Sequence, residues 1–355
     1  MQRQLPGGIA LELGYVGSRS HHLSPSSTAV SNMYINQVPT QYLSLGSALS
    51  QAVPNPFYGI PGAAGVIGGQ TVARAQLLMP YPEYNQVIEN TNPVHAQYDS
   101  LVVKAQKRLS QGLTFLSTFT WSKNMDNAWG SAGSNYFNTF AGSTPPTAPQ
   151  NVYNLAAEWA LASADVSLRF TAGWTYALPL GTSGHFLTKS KALDYVVGGW
   201  SINGTTIYQN GFPLWIYQTN QNSVIGAGEQ RPNATGISPG MSGSPESLQN
   251  DYINPAAFSL APAFTFGNVS RNIGNRGPAE ANWDLSVFKN FTFKERFRAQ
   301  FRGEALNAFN TPLFANPNTL FQGVNAAGQP IGNFGRLVYQ TNTARELQLG
   351  VRLMF

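Results

Sequence analysis

Four histidines and sixteen carboxylates, with no cysteine, are the raw material for chemistry in this chain. His21 and His22 are adjacent, and neighbours on an extended chain point to opposite sides, so they are not expected to share a metal ion. His95 and His185 stand alone, and the short ligand spacings of zinc sites are missing. Asp284 and Glu304 fall on polar faces of neighbouring predicted strands, a placement that suggests a carboxylate acid–base pair. The plainer reading makes them wall groups paired with neighbours such as Arg302, and that is the expectation taken. The glycine-rich stretch GAAGVIGG (Gly62 to Gly69) has no strand-then-helix context, so it does not read as a phosphate cradle. No Ser-His-Asp order stands out. The expectation is a chain with no catalytic residue, no cofactor and no metal, and not an enzyme.

Composition says what sort of scaffold carries these groups. Only 10% of residues are charged, against roughly 25% in an ordinary soluble domain. Hydrophobic content is 42% and aromatics reach 12%, so small polar residues and glycine have replaced charge. That mixture suits strands and polar loops. The net charge of +5 comes from scattered Lys and Arg, with no basic run or aromatic RNA-binding motif, so nucleic acid is not an expected partner. No run of 18 apolar residues exists, which excludes a membrane-spanning helix. The opening MQRQLPGGIALELGYVG alternates instead of forming one apolar block, so it does not read as a signal peptide.

Alternation of period two predicts eight strands. They run from Gly8 to Ser18, Tyr98 to Arg108, Gly112 to Ser122, Asp165 to Leu178, Gly199 to Gln209, Ala281 to Phe291, Phe297 to Ala308, and Arg345 to Phe355. In the last, Leu347, Leu349, Val351, Leu353 and Phe355 share one face, while Glu346, Gln348 and Arg352 share the other. Short links at Leu109–Gln111 and Thr292–Arg296, and a medium one near Pro179–Val197, alternate with long segments from His21 to Gln97, Lys123 to Ala164, Asn210 to Glu280 and Asn310 to Thr343. Long loops confined to one end and short turns at the other describe a transmembrane β-barrel with extracellular loops and periplasmic turns. A soluble β-sandwich also alternates, but has no reason to segregate its loops.

Aromatic placement agrees with the barrel. Trp and Tyr favour the two membrane interfaces. Trp121, Tyr208 and Trp283 fall at the outer ends of their strands; Trp174, Tyr176, Trp200, Phe291 and Phe355 fall at the inner ends. The polar positions predict a lumen-facing set: Arg169, Asp284, Arg298, Gln300, Arg302 and Glu304.

Several separated blocks carry a resemblance. LPGGIALELGYVGSRSHHL, QVPTQYLSLGSAL and PNPFYG, then YDSLVVKAQKRLSQGLTFLSTFTWSKNMDNA and YNLAAEWALASADVSLRFTAGWTYALP, resemble the outer-membrane barrel of TonB-dependent receptors of the Oar-like group. NIGNRGPAEANWDLSVFKNFTFKERFRAQFRGEALNAFNTPLFANPN resembles that group's penultimate hairpin, and the ending its closing strand. Ser167 and Leu168 stand where the group tends to place a basic pair. The resemblance implies a roughly 22-stranded barrel with a plugged lumen, energised through the TonB complex of the inner membrane. On that reading residues 1–355 are the C-terminal part of the barrel, about eight strands of it. Neither a plug domain nor an N-terminal carboxypeptidase-regulatory-like domain is recognisable, and TonB would be reached through a missing N-terminal region.

An open eight-stranded sheet leaves unpaired backbone groups in lipid, at several kcal/mol each. The strands are therefore expected either to close on themselves or to join a larger wall, and the long outer segments favour the larger wall. The apolar ending Leu349, Val351, Leu353 and Phe355 resembles the signal read by the barrel-assembly machinery. The expected function is uptake or binding of a large nutrient or polymer at the cell outer membrane, in contact with its lipid bilayer. The ligand is not identifiable. The alternative is a non-transporting adhesive, structural or porin-like barrel.

Overall fold

The computed structural model describes residues 1–24, 32–129, 148–181, 191–293 and 297–355. Nine strands follow one another in an antiparallel sheet: β1 (Gln2–Leu5), β2 (Ile9–Leu23), β3 (Val94–Ser110), β4 (Leu113–Asp126), β5 (Leu168–Ala177), β6 (Trp200–Gln209), β7 (Glu280–Phe293), β8 (Phe297–Leu306) and β9 (Glu346–Met354). Each pairs with its chain neighbours, and a two-residue strand, Ala160–Leu161, flanks the end of β4. Eight of the nine coincide with predicted strands; β1 is an additional short one at the edge. β1 and β9 do not pair with each other, so the sheet is open.

Register fixes which side chains share a face. Leu347, Leu349, Val351 and Leu353 pair with Ala305, Gly303, Phe301 and Ala299, and these pair with Leu285, Val287, Lys289 and Phe291. This apolar face is uncovered: Leu347, Leu349, Val351 and Leu353 are 69–75% exposed. The three clusters of buried apolar side chains lie elsewhere, at or beyond the loop end of the sheet. One is built on Leu214, Ile216, Phe258, Phe321 and Phe334, a second on Val38, Leu49, Ala75 and Ile225, and a third on Met33, Val94 and Trp129. A sheet that presents its hydrophobic side outward while its loops hold the core is inverted relative to a soluble sandwich.

The turns explain the hairpins. Between β3 and β4, Gln111 and Gly112 both have positive φ, at 50° and 78°, the twist that a two-residue hairpin needs. A side chain at Gly112 would also sit 2.5 Å from the Ala177 carbonyl of β5. The turn between β7 and β8, residues 294–296, lies outside the described residues, as does His185.

Two predicted boundaries move. The fifth strand begins at Leu168, not at Asp165, because the Asp165 carboxylate is drawn away to Arg276 and to the backbone N–H of Asn124 (2.5 Å). The eighth ends at Leu306, where Asn307 turns to φ 47° and donates its N–H to Asp284 (2.9 Å).

Candidate functional site

The girdle residues occupy the apolar face at two levels. Trp121 pairs with Leu168 and Leu101, Tyr208 with Phe170 and Ala281, and Trp283 with Thr206, all toward the loop end. Trp174 pairs with Phe115 and Gly204, Tyr176 with Leu113 and Ile202, and Phe291 with Ala299, toward the turn end. Tyr208 and Trp200 are eight residues apart on one strand, about 26 Å along it, or roughly 20 Å of height at a barrel strand's usual tilt, most of a lipid-facing band. Trp174 lies across Gly204, where a Cβ would meet its indole at 2.7 Å. Trp200 donates its indole N–H to Val196 (2.8 Å). Phe355 follows β9 and is 97% exposed.

A buried cation lies on this face near the turn end. Lys289 pairs with Trp200 and is almost fully buried. Its Nζ reaches back to the Gly198 carbonyl and lies 5.0 Å from the Phe291 ring and 5.6 Å from Trp200. The alkyl stem covers apolar surface while the ammonium finds the turn backbone, the behaviour of a snorkelling lysine. Nothing in the strand pattern singled it out.

The opposite face is polar. Arg298, Gln300, Arg302 and Glu304 alternate along β8 and pair with Met354, Arg352, Gly350 and Gln348. The expected Arg302–Glu304 pairing does not form: Arg302 donates from Nε to Gln300 (2.6 Å) and stacks 5.0 Å over Phe288. Glu304 and Arg302 are two apart on one strand, and the Phe288 ring across the register takes the guanidinium. Asp284 and Glu304 share the face but not a row, since Glu304 pairs with Ser286 and Asp284 with Thr205. Asp284 instead fastens the end of β8 through Asn307. Both line a groove of about 420 Å³ with Asn203, Thr205 and Gln348.

Arg169 belongs to a different arrangement. It pairs with Gln209, which pairs with Glu280, so a cation, an amide and a carboxylate stand in one row across β5, β6 and β7. The row forms the floor of a cavity of about 580 Å³ at the loop end, roofed by Phe212, Leu313, Phe314 and Thr341. The roof is held by close backbone crossing. A Cβ on Gly211 would fall 1.9 Å from the Gly277 carbonyl, and Gly277 donates its N–H to Phe212 (2.9 Å). The strand pattern puts Arg169 and Gln209 on polar faces but misses Glu280, because the seventh strand was started one residue too late, at Ala281. Extending the alternation by that residue would have placed Glu280 on the polar face.

The described parts of the long segments are packed, and buried charge ties them to the sheet. Arg231 donates to both Glu158 oxygens, at 3.0 and 2.8 Å, with both side chains no more than 2% exposed. Arg271 donates to the Glu158 carbonyl (2.9 Å) and holds Asp126 at the end of β4. Arg276 clasps Asp165. A further carboxyl, Glu229, lies 3.7 Å from Arg231; burial pushes it up to about 8 against the pull of Arg231. At neutral pH Glu229 is thus protonated, leaving the Arg231, Arg271 and Arg276 guanidinium groups against the Glu158, Asp126 and Asp165 carboxylates. Gln150 joins the segments in the same way: its oxygen accepts from the N–H of Arg231 (2.8 Å) and of Gly267 (3.1 Å). The glycine-rich stretch is structural too, with Asn55 donating to the Ile67 and Gly69 carbonyls.

His95 is not isolated. Its Nδ1 lies 2.9 Å from that of His21, and the His22 ring is 6.3 Å away. Among the described residues no group of three or more His, Asp or Glu side chains is arranged to hold a metal ion.

Comparison with known proteins agrees with this geometry. The family model described as outer membrane beta barrel domain matches residues 1–348. Among solved structures, the outer membrane transporter YddB from Escherichia coli aligns with a TM-score of 0.39 and 10% identity over 99% of this chain and 31% of that one. The chain therefore spans about a third of the length of that transporter. No curated protein matches. An exposed apolar face, a polar opposite face and a match along almost the entire sequence lead to one conclusion: the chain belongs to the outer membrane beta barrel domain family and resides in the outer membrane.

Proposed function

We propose that this chain is part of the wall of an outer-membrane transport barrel of the TonB-dependent, Oar-like type, taking up or binding a large nutrient or polymer. The observation that carries the reading is the Arg169–Gln209–Glu280 row, placed on the face away from lipid and under a roof of folded loops. A cation and a carboxylate two strands apart, about 10 Å, with an amide between them, can bind a polar polymer at several points without clamping it. The open edges at β1 and β9 support a larger wall, since hydrocarbon leaves no other partner for their backbone groups. The bilayer and the barrel-assembly machinery are its partners for insertion, and TonB is its partner for energy. No chemistry on the ligand is part of the proposal.

Cells producing the full-length protein, offered fluorescent oligosaccharides and oligopeptides with and without an uncoupler, test it. Uptake that R169Q/E280Q lowers and the uncoupler abolishes is expected. Uptake indifferent to the uncoupler would replace energised transport with passive diffusion. One observation favours a second reading: the described loop segments pack around their own buried apolar clusters, so they can present an ordered outer face for adhesion. Surface attachment with no uptake of any probe would select it.

A further inference from the structure

Three imidazoles meet at the loop end of β2 and β3. The register between these strands runs unbroken from Ile9↔Lys107 to Ser20↔Ala96, then shifts to Leu23↔Val94. Two residues of β2, His21 and His22, thus oppose one residue of β3, His95, which is a bulge. His22 takes φ 56°, a left-handed conformation uncommon for any residue but glycine. The bulge cancels the alternation that would have sent the two neighbours to opposite sides. His95 is anchored through its own backbone, donating N–H to Asn127 Oδ1 (2.7 Å). All three rings are exposed to solvent.

We propose that His21 and His95 form a two-imidazole site for a tetragonal divalent metal, Cu(II) or Ni(II), with water filling the remaining positions. The spacing, set without metal by a ring-to-ring hydrogen bond, already suits one metal class. At a metal–nitrogen bond of about 2.0–2.1 Å, the observed Nδ1···Nδ1 separation of 2.9 Å subtends an angle of about 90° at the metal. A tetrahedral ion would need about 3.3 Å. Right-angled nitrogen pairs suit square-planar and tetragonal ions, and Cu(II) stands highest in the affinity order. Without metal, one ring donates its Nδ1–H to the other. On binding, that proton moves to Nε2 of the same ring, so both Nδ1 lone pairs face the metal. Because only neutral imidazole coordinates, affinity falls with acidification. The inference stands apart from the transport reading, as it uses none of the cavity residues.

The test is titration of the untagged protein, extracted from outer membranes in detergent and stripped with EDTA, with CuCl2. Electron paramagnetic resonance reads the ligands. One equivalent bound with two-nitrogen hyperfine structure is expected, and H22A should retain it. H21A and H95A should each weaken binding by at least about tenfold, the lower bound for losing even an outer-shell partner. Circular dichroism of each variant checks the fold. Equal Cu(II) affinity in the parent, H21A and H95A, or a signal lost only in H22A, overturns the assignment.

Discussion

Removing Arg231 is expected to loosen the loop assembly far more than removing any exposed charge. Its guanidinium makes two bonds to Glu158, and both side chains are sealed from solvent. Arg231→Met leaves the Glu158 carboxylate buried without its main counter-ion; an orphaned buried charge costs about 3–5 kcal/mol. Glu229 adds nothing to that cost, because it is already protonated and loses only a neighbour that favoured its charge. At about 1.4 kcal/mol per tenfold, the open population of the loops should rise roughly a hundred- to several-thousand-fold. Hydrogen exchange of the protein in lipid vesicles reads this at the Arg231 and Gly267 amides, which are closed on Gln150. Glu158→Gln should do comparable damage by stranding Arg231. The double variant should be far less damaged than the two singles added together, since no lone charge remains. Strict additivity, or opening by less than about tenfold in Arg231→Met, would refute the claim that this pair locks the loops.

Other outcomes follow from the two faces and the buried carboxyl. Leu349→Arg, on the exposed apolar face, should cost about 2–4 kcal/mol in guanidinium titrations from vesicles, while Arg302→Gln costs little; equal tolerance would contradict the facing. Glu229 holds a proton in the fold up to about pH 8, whereas the unfolded chain releases it near the ordinary carboxyl value. The Glu229 contribution to loop stability should therefore be fully present below about pH 4.5 and be lost as pH rises toward 8, by at most about 1.4 kcal/mol per unit. Glu229→Gln should flatten that slope in a pH series of protease resistance; an unchanged slope would place the titration elsewhere. Phe355→Asp should lower the fraction recovered in outer membranes, and undiminished insertion would count against the ending as an assembly signal.

Much of this protein was legible from side-chain order alone. The ending from Leu347 to Phe355 alternates because a strand turns successive side chains to opposite faces, whatever surrounds it. Trp121 and Trp174 could be assigned to opposite ends because indoles partition to interfaces on their own chemistry. Loop lengths told which end was which. Two misreadings lie at strand ends, where alternation gives the least guidance. A single bulge brought His21 to His95, and one residue at the start of β7 hid Glu280 from its row.

What the sequence determined by itself was the sheet, its two faces and the medium each face meets, since those depend on residues within one strand and on the solvent beside it. The tertiary structure alone decided the loop core and its buried charges. Arg231 and Glu158 are 73 positions apart, and Gln150 and Gly267 are 117 apart. No local periodicity links such residues; only the path of the chain brings them together, and burial then makes the pairing obligatory.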